Sequence, residues 1–306
     1  MKLPNRLWPL VAALVLVAAA AIGGAIWYRS RPLSQAALVK RLPTREALVL
    51  SIDFDALRRG GILNVLESSK AAEDADYRRF VEKSGFDYRR DLDSAVVAFA
   101  PGGKYMFIKG RFDWASLHRY AREQGGSCVN AFCRMQGSQP DRQISFFRVQ
   151  TGLMGLAVST DDYAARRLSE APSGADPEIP SAPVWLRVPS ALLRSGESLP
   201  AGTRMFARSM ADAESVLVTL TPEGSRLAAR LEVRCANERN AADIAAQLSR
   251  ATAMLREMIE REHQKPNPAD FSGVLTSGTF RSEGSRVLGY WPIERSFVEN
   301  MLGGAG

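Results

Sequence analysis

The sequence predicts an α+β protein in which an N-terminal transmembrane helix precedes two tandem copies of a unit made of an antiparallel sheet and helices. Three observations support this fold class. One uncharged apolar segment lies near the N-terminus, and three pairs of similar segments recur in the same order further along the 306-residue chain. The composition, 46% hydrophobic and 24% charged, is that of a folded globular protein and not of a disordered one.

The first element is the apolar segment Leu7–Tyr28, which contains no charged residue over 22 positions. As a helix it would be roughly 33 Å long, which is enough to span a bilayer. Trp8 at one end, and Trp27 and Tyr28 at the other, are residue types that favour the headgroup region. The alternative is a signal peptide cleaved among the small residues of Ala21–Ala25. The apolar run continues past these residues, which favours an uncleaved membrane anchor.

Basic residues flank this segment on both sides, so charge alone does not decide where the rest of the chain lies. Lys2 and Arg6 precede it, whereas Arg29 and Arg31 follow it and favour a cytoplasmic domain under the positive-inside rule. A basic start followed directly by an apolar run is nevertheless typical of export, and a close cysteine pair suits an oxidising compartment. We therefore expect a single-pass protein of the inner membrane with a periplasmic or otherwise extracytoplasmic domain.

Three pairs of similar segments follow, with offsets of 135, 121 and 134 residues. Because the pairs keep their order, we expect two copies of one unit that share one long sheet or face each other. The pairs are Ala47–Ile62 with Ala182–Ser198, Asp93–Gly103 with Glu214–Gly224, and Leu153–Leu168 with Val287–Leu302. The predicted divisions are a membrane anchor (1–28), a linker (29–46), a first α+β repeat (47–169), a Pro-rich linker (170–181), a second α+β repeat (182–302) and a tail (303–306).

Local patterns predict the elements inside each unit. An apolar strand leads into a short helix, with Asp55 as the predicted N-cap in the first copy. Pro101–Gly103 and Pro222–Gly224 lie between apolar stretches and predict antiparallel hairpins. Longer helices are predicted after the capping residue Asp113 and over Asn240–Glu262, where apolar residues recur on one stripe.

The three cysteines predict one disulfide and one buried thiol. Cys128 and Cys133 form a C-x4-C pair across a predicted tight turn, and the loop that a disulfide would close is worth about 2 kcal/mol by chain entropy. A metal site is not expected because no second Cys/His pair matches the spacing. Cys235 lies in an apolar strand, which favours a buried thiol over a reactive one.

No residue pattern predicts catalysis, a cofactor or a metal. The two histidines, His118 and His263, occupy positions that do not correspond between the copies, and neither belongs to a recognisable nucleophile motif. Asp53, Asp55 and the pair Asp161–Asp162 could suggest a cation site, but helix capping already explains Asp55. The formal net charge of +7 is spread along the chain and predicts no nucleic-acid partner.

Paired aromatic residues on predicted strands mark a surface for a partner or ligand. Consecutive strand residues point to opposite faces, so one of Phe146 and Phe147, and one of Tyr290 and Trp291, would point outward. The alternative is that both faces of the sheet are covered. An outward aromatic would mark an interaction surface.

The chain resembles uncharacterised bacterial single-pass envelope proteins of a domain-of-unknown-function family. The resemblance rests on the overall layout and on the strings Ser51–Arg58 and Phe86–Asp93, and it covers most of residues 45–302. It implies no known activity. We expect a membrane-anchored extracytoplasmic protein without a recognisable catalytic site that binds an envelope protein partner or an apolar ligand. The alternative is an envelope hydrolase with an unrecognised site.

Overall fold

The computed structural model describes residues 32–61, 75–137, 139–170, 172–195, 204–224 and 226–303. The strands in these ranges form one 12-stranded sheet in which every neighbouring pair is antiparallel. They are β1 (Leu48–Asp53), β2 (Leu92–Ala100), β3 (Gly103–Gly110), β4 (Ser127–Val129), β5 (Phe132–Gln136), β6 (Gln143–Gln150), β7 (Leu153–Ser159), β8 (Val184–Pro189), β9 (Ser215–Glu223), β10 (Arg226–Arg234), β11 (Thr279–Glu283) and β12 (Arg286–Ile293).

Helices connect these strands and pack on the sheet. They are α1 (Gln35–Arg41), α2 (Phe54–Arg59), α3 (Ala75–Ser84), α4 (Tyr88–Asp91), α5 (Trp114–Glu123), α6 (Ser190–Ser195), α7 (Arg204–Ser209), α8 (Glu238–Arg261), α9 (Phe271–Thr276) and α10 (Arg295–Gly303), with a 3₁₀ helix at Ala164–Ser169. The segment predicted as the first linker therefore contains a helix, α1, and its Leu38 and Val39 are buried.

The predicted fold class is wrong in its architecture. We expected a transmembrane helix and two tandem units that share one sheet or face each other. The described strands instead form one large antiparallel sheet that runs through both units, in which β1 pairs with β8 from Val49↔Arg187 to Ile52↔Val184. This pairing is physically favoured because it removes two open strand edges. Within the described ranges no helix is both long and apolar enough to cross a membrane. The predicted span Leu7–Tyr28 lies outside those ranges.

The first five strands follow the same order on either side of the β1 and β8 pair, and β5 and β4 extend one side further. The order runs β1-β2-β3-β7-β6-β5-β4 in one direction and β8-β9-β10-β12-β11 in the other. Both predicted hairpins are confirmed, because β2 pairs with β3 across Ala100↔Gly103 and β9 pairs with β10 across Glu223↔Arg226. The segments that resemble each other in sequence thus lie at corresponding places in the sheet, while the boundaries of the two repeats stay a prediction.

Helices α5 and α8 cover the same face of the sheet, one in each half. The stripe of α8 that contains Ile244 and Leu248 packs against strand residues such as Val233. In the other half, Leu117 of α5 packs against Phe146. These apolar contacts are the main source of stabilisation for this face. The 3₁₀ helix covers part of the opposite face and buries Ala164, Ala165 and Leu168.

The N-caps confirm one prediction and correct another. Asp113 accepts hydrogen bonds from two backbone amides at the start of α5, as predicted. In α2 the cap is Asp53, whose carboxylate accepts from the Ala56 amide at 2.8 Å. Asp55, the predicted cap, lies in the first helical turn and pairs with Arg58 at 3.3 Å. The helix begins two residues earlier than the sequence pattern indicates, so the carboxylate of Asp53, the last residue of β1, is the one that meets the free amides.

A buried carboxylate, Asp91, holds the start of β2 together. Only 5% of Asp91 is exposed. Its side chain accepts from Arg90 Nε at 3.0 Å, from Arg111 Nε at 3.2 Å and from the Asp87 backbone amide at 3.0 Å. The Arg90 hydrogen bond, helped by the Asp87 amide and Arg111, lowers the pKa of Asp91 to about 2 despite its burial.

Candidate functional site

The face of β8 to β12 that lies opposite α8 carries rows of polar side chains, and we call it the open face. Strand residues alternate between faces, so the positions that flank the buried core residues Val216 and Val233 belong to this side. Most residues here are exposed or half-buried, whereas Trp185 at the border with β1 and Ala228 on β10 are buried. Its charged strand residues are Arg187, Glu223, Arg226, Arg230, Glu232, Arg234, Arg281, Glu283 and Arg286.

Cross-strand contacts organise the far side of the open face. Arg230 donates to the Glu223 carboxylate at 3.1 Å, and its guanidinium lies 5.9 Å from the centre of the Tyr290 ring. The Tyr290 hydroxyl donates to Glu223 at 2.6 Å, which raises the pKa of that phenol. This network spans β9, β10 and β12 and fixes the direction of an arginine and a tyrosine at the surface.

A pocket of about 150 Å³ lies where the open face meets the connection 172–183. Strand register builds it: Arg187 pairs with Leu217, and Leu217 pairs with Glu232, so these three side chains stand side by side on neighbouring strands. Ser215 and Arg234 form a second row two residues along. Glu178 reaches the pocket from the connection, and its backbone carbonyl accepts from Arg187 Nη2 at 3.0 Å.

The charges around the pocket are unevenly paired. Arg234 lies 3.3 Å from Glu232 and 3.7 Å from Glu178. Arg187 is half-buried, and among the described residues no carboxylate lies within 4.0 Å of it. Burial lowers the pKa of the Arg187 guanidinium, the nearby charge of Arg234 lowers it further, and Glu178 opposes the change. Arg187 is therefore a cation with spare hydrogen-bonding capacity, since a guanidinium has five N–H donors.

The disulfide between Cys128 and Cys133 is present, as predicted. The two residues stand directly opposite each other in the β4 and β5 hairpin. The two-residue turn between these strands, Asn130 and Ala131, has positive φ at both positions, which matches the twist of the flanking strands. The disulfide thus closes the last hairpin of the sheet, next to Val129, which is 67% exposed.

An aromatic and arginine stack lies beside this hairpin. The Phe132 ring is parallel to the Tyr163 ring, with centroids 5.8 Å apart, and to the Phe147 ring at 6.3 Å. Arg166 lies 4.4 Å above Tyr163 and 5.3 Å from Phe132, and Arg134 lies 4.8 Å from Tyr163. The rings and the guanidinium groups stack on one another, and these contacts stabilise the edge of the sheet.

The four aromatic residues predicted to mark a surface take different positions. Phe146 is buried under α5, whereas Phe147 is half-buried. The Phe147 ring lies over Gly155 on the next strand, where a Cβ atom would stand 2.7 Å from the ring. Trp291 is half-buried on the α8 side and packs edge-on against the Phe280 ring, while Tyr290 lies on the open face. The interaction surface itself stays a prediction.

The histidines and the acidic residues do not converge on one site. Burial, with nearby arginine charge, lowers the pKa of His118, whose Nε2 has no hydrogen-bond partner in the described structure. His263 follows α8 as an exposed residue with positive φ. Cys235 is a buried free thiol whose pKa burial raises, which disfavours the reactive thiolate. In the described part of the chain, no group of three or more metal-ligating side chains occurs.

Sequence reasoning missed the pocket at Arg187. The available signal was a charged residue in the middle of an apolar strand, together with Arg, Glu and Arg at alternate positions of β10: Arg230, Glu232 and Arg234. Alternation predicts one charged face. The register of β8, β9 and β10 was also needed, because it alone places Arg187 and Glu232 in the same row, on either side of Leu217.

Comparison with known proteins shows the fold and not the function. No protein-family model and no curated protein matches the chain. Crystal forms I and III of TP0453 are similar, each with a TM-score of 0.51, 12% and 11% identity, and coverage of 89% of this chain and 99% of that one. Crystal form IV of TP0453 has a TM-score of 0.47 at 11% identity, with coverage of 84% and 92%. At such identities a shared fold carries no activity with it.

Proposed function

We propose that this chain is a non-enzymatic protein of the cell envelope that binds an acidic protein partner through the open face. The observation that carries the proposal is the charge of that face: its strands present six arginines and three glutamates on one side. Arginine and tyrosine are the residue types that most often dominate protein interfaces. Complementary charge also speeds and orients association with an acidic surface.

The disulfide between Cys128 and Cys133 supports placement outside the cytoplasm. Disulfides persist in oxidising compartments, whereas cytosolic thiols are kept reduced. This agrees with the export layout at the N-terminus and with a periplasmic or other extracytoplasmic location at the inner membrane. Alkaline phosphatase fused after Gly306 tests it: we expect an active fusion, and an inactive fusion of normal abundance would contradict export.

A protein partner fits the structure better than an apolar ligand. The described pocket is small, and four of its seven lining residues are charged, which does not favour an apolar molecule. Its lining residues offer arginine and paired glutamate, and include neither a histidine nor a thiol. No observation favours the alternative of a hydrolase.

Site-specific photo-crosslinking in the native host tests the partner. A photoreactive residue would replace Thr219, an uncharged half-buried residue of the open face, and in a matched control Gln247, which is exposed on α8. We expect a discrete adduct with an acidic protein from position 219 and none from 247. The double variant Arg230→Glu and Arg286→Glu should abolish the adduct because it reverses two charges. Equal adducts from both positions, or none from 219 in a folded protein, would refute the proposal.

A further inference from the structure

The pocket on the open face is built around Arg187, a cation that has no carboxylate within 4.0 Å in the part of the chain that the structure describes. Arg187 donates one hydrogen bond of 3.0 Å to the backbone carbonyl of Glu178, and its guanidinium lies 5.6 Å from the Trp185 ring centre. Arg234 borders the same space of about 150 Å³. We propose that this pocket binds one carboxylate group, held by Arg187 with Arg234 beside it. The carboxylate comes from an acidic side chain of the partner or from a small free acid.

Pocket shape and chemistry favour a carboxylate. The planar guanidinium of Arg187 presents paired N–H groups that match the two oxygens of a carboxylate. Ser215 adds a hydroxyl, which can donate to the same group. Leu217 supplies an apolar wall between the two polar rows, against which the aliphatic stem of a glutamate or aspartate packs.

The two glutamates of the pocket limit the ligand to a single negative charge. Glu232 lies 3.3 Å from Arg234 and 4.0 Å from Arg286, so it already offsets part of the positive charge. A dianion such as phosphate would meet repulsion from Glu232 and Glu178. A monoanion gains the contact with Arg187 and suffers less of this repulsion.

Glu178 stands where an incoming carboxylate would compete with it. Its side chain is 87% exposed and lies 3.7 Å from Arg234, which makes a loose surface pair. Such pairs contribute little stability, so a better-placed carboxylate can displace it. Glu178 is thus an internal competitor, and its removal should strengthen ligand binding.

This inference deepens the proposed function, because an acidic side chain of the partner is the natural occupant. Its test does not need the partner. The full-length protein is titrated with sodium acetate, with a glutamate capped at both ends as an amide, and with the equally capped glutamine. Binding is followed by NMR of the arginine Nε–Hε signals at constant ionic strength. Sodium chloride and sodium phosphate at pH 8 are the ionic controls.

We expect saturable shifts with acetate and capped glutamate, none with capped glutamine, and weaker binding of phosphate than of acetate. The variant Arg187→Gln lacks the Arg187 signal, so its binding is followed through the Nε–Hε signal of Arg234. It should bind about tenfold or more weakly, because a charge-assisted pair is lost. Glu178→Gln should strengthen it by up to about fivefold. Arg281→Gln removes a charge at the far edge of the same face, beside Glu283, and should change the affinity by less than about twofold.

The outcomes separate the two sources of the carboxylate. Capped glutamate binding about tenfold more tightly than acetate assigns the pocket to an acidic side chain, and equal affinities assign it to a small free acid. No saturable shift, tighter binding of phosphate, or weaker binding in Glu178→Gln would overturn the inference. Carboxylate binding that persists while the photo-crosslink at position 219 fails would reject the acidic partner and leave the pocket intact.

Discussion

Replacement of Asp91 by asparagine tests the buried carboxylate at the start of β2. The change keeps the size of the side chain but removes the charge that Arg90 and Arg111 contact. The pKa of Asp91 falls from 3.8 to about 2 in the folded chain. At about 1.4 kcal/mol for each tenfold change, the charged carboxylate stabilises the native state by roughly 2 kcal/mol at pH 7. Asp91→Asn should lower the free energy of unfolding by about that amount.

The pH dependence has a definite sign. A folded-state pKa below the unfolded value contributes stability that is complete above the unfolded pKa and disappears as pH falls through the folded pKa. The difference between the wild type and Asp91→Asn should therefore be constant from pH 7 to about 5, fall to roughly half by pH 3 and nearly vanish at pH 2. Urea unfolding followed by circular dichroism at each pH measures it.

The control for this experiment is Asp212→Asn. Asp212 is exposed, and no ion pair to it occurs among the described residues, so its replacement should change stability by less than about 0.5 kcal/mol. A difference for Asp91→Asn that stays the same at pH 7 and pH 3 would show that packing, and not the charge, stabilises this site. A loss below about 0.5 kcal/mol at pH 7 would show that the hydrogen bonds contribute nothing.

Three further changes probe other parts of the fold. Replacing Cys128 and Cys133 by serine should cost about 2 kcal/mol in urea unfolding, and reduced wild type should match the variant. Leu248→Ala, in the core under α8, should cost about 2–5 kcal/mol, whereas Met254→Ala, 57% exposed on the same helix, should cost under about 0.5; equal losses would contradict the packing described. Gly126→Ala places a Cβ against a backbone carbonyl of β5 and should lower the melting temperature, with a cost of about 1–3 kcal/mol.

Local elements could be predicted because their signals are local. The hairpins at Pro101–Gly103 and Pro222–Gly224, and the cap at Asp113, depend on residues within one turn of each other. The disulfide could also be predicted, since a C-x4-C pair across a short hairpin leaves few other pairings. The cap at Asp53 was missed because strand and helix signals overlap within two residues, where element boundaries are least certain.

The pairing of strands that are distant in sequence could not be predicted in the same way. Nothing in the apolar pattern of β1 distinguishes β8 as its neighbour, because any alternating strand offers the same backbone groups. The direction of Phe147 depends on the space over Gly155, which lies on another strand. The pocket depends on Arg187 and Arg234 from strands that are not direct neighbours. Such features arise only when register is fixed across several strands.

The pairing of β1 with β8 joins two strands that are synthesised at different times. Leu50 of β1 pairs with Leu186, which is 136 residues further along the chain. At synthesis rates of about 5–20 residues per second, roughly 7–27 s pass between the appearance of the two residues. Through that interval the outer edge of β1 has no strand beside it, and an unpaired edge is a template for the wrong partner. The nascent chain therefore needs protection of the β1 edge until β8 has been synthesised.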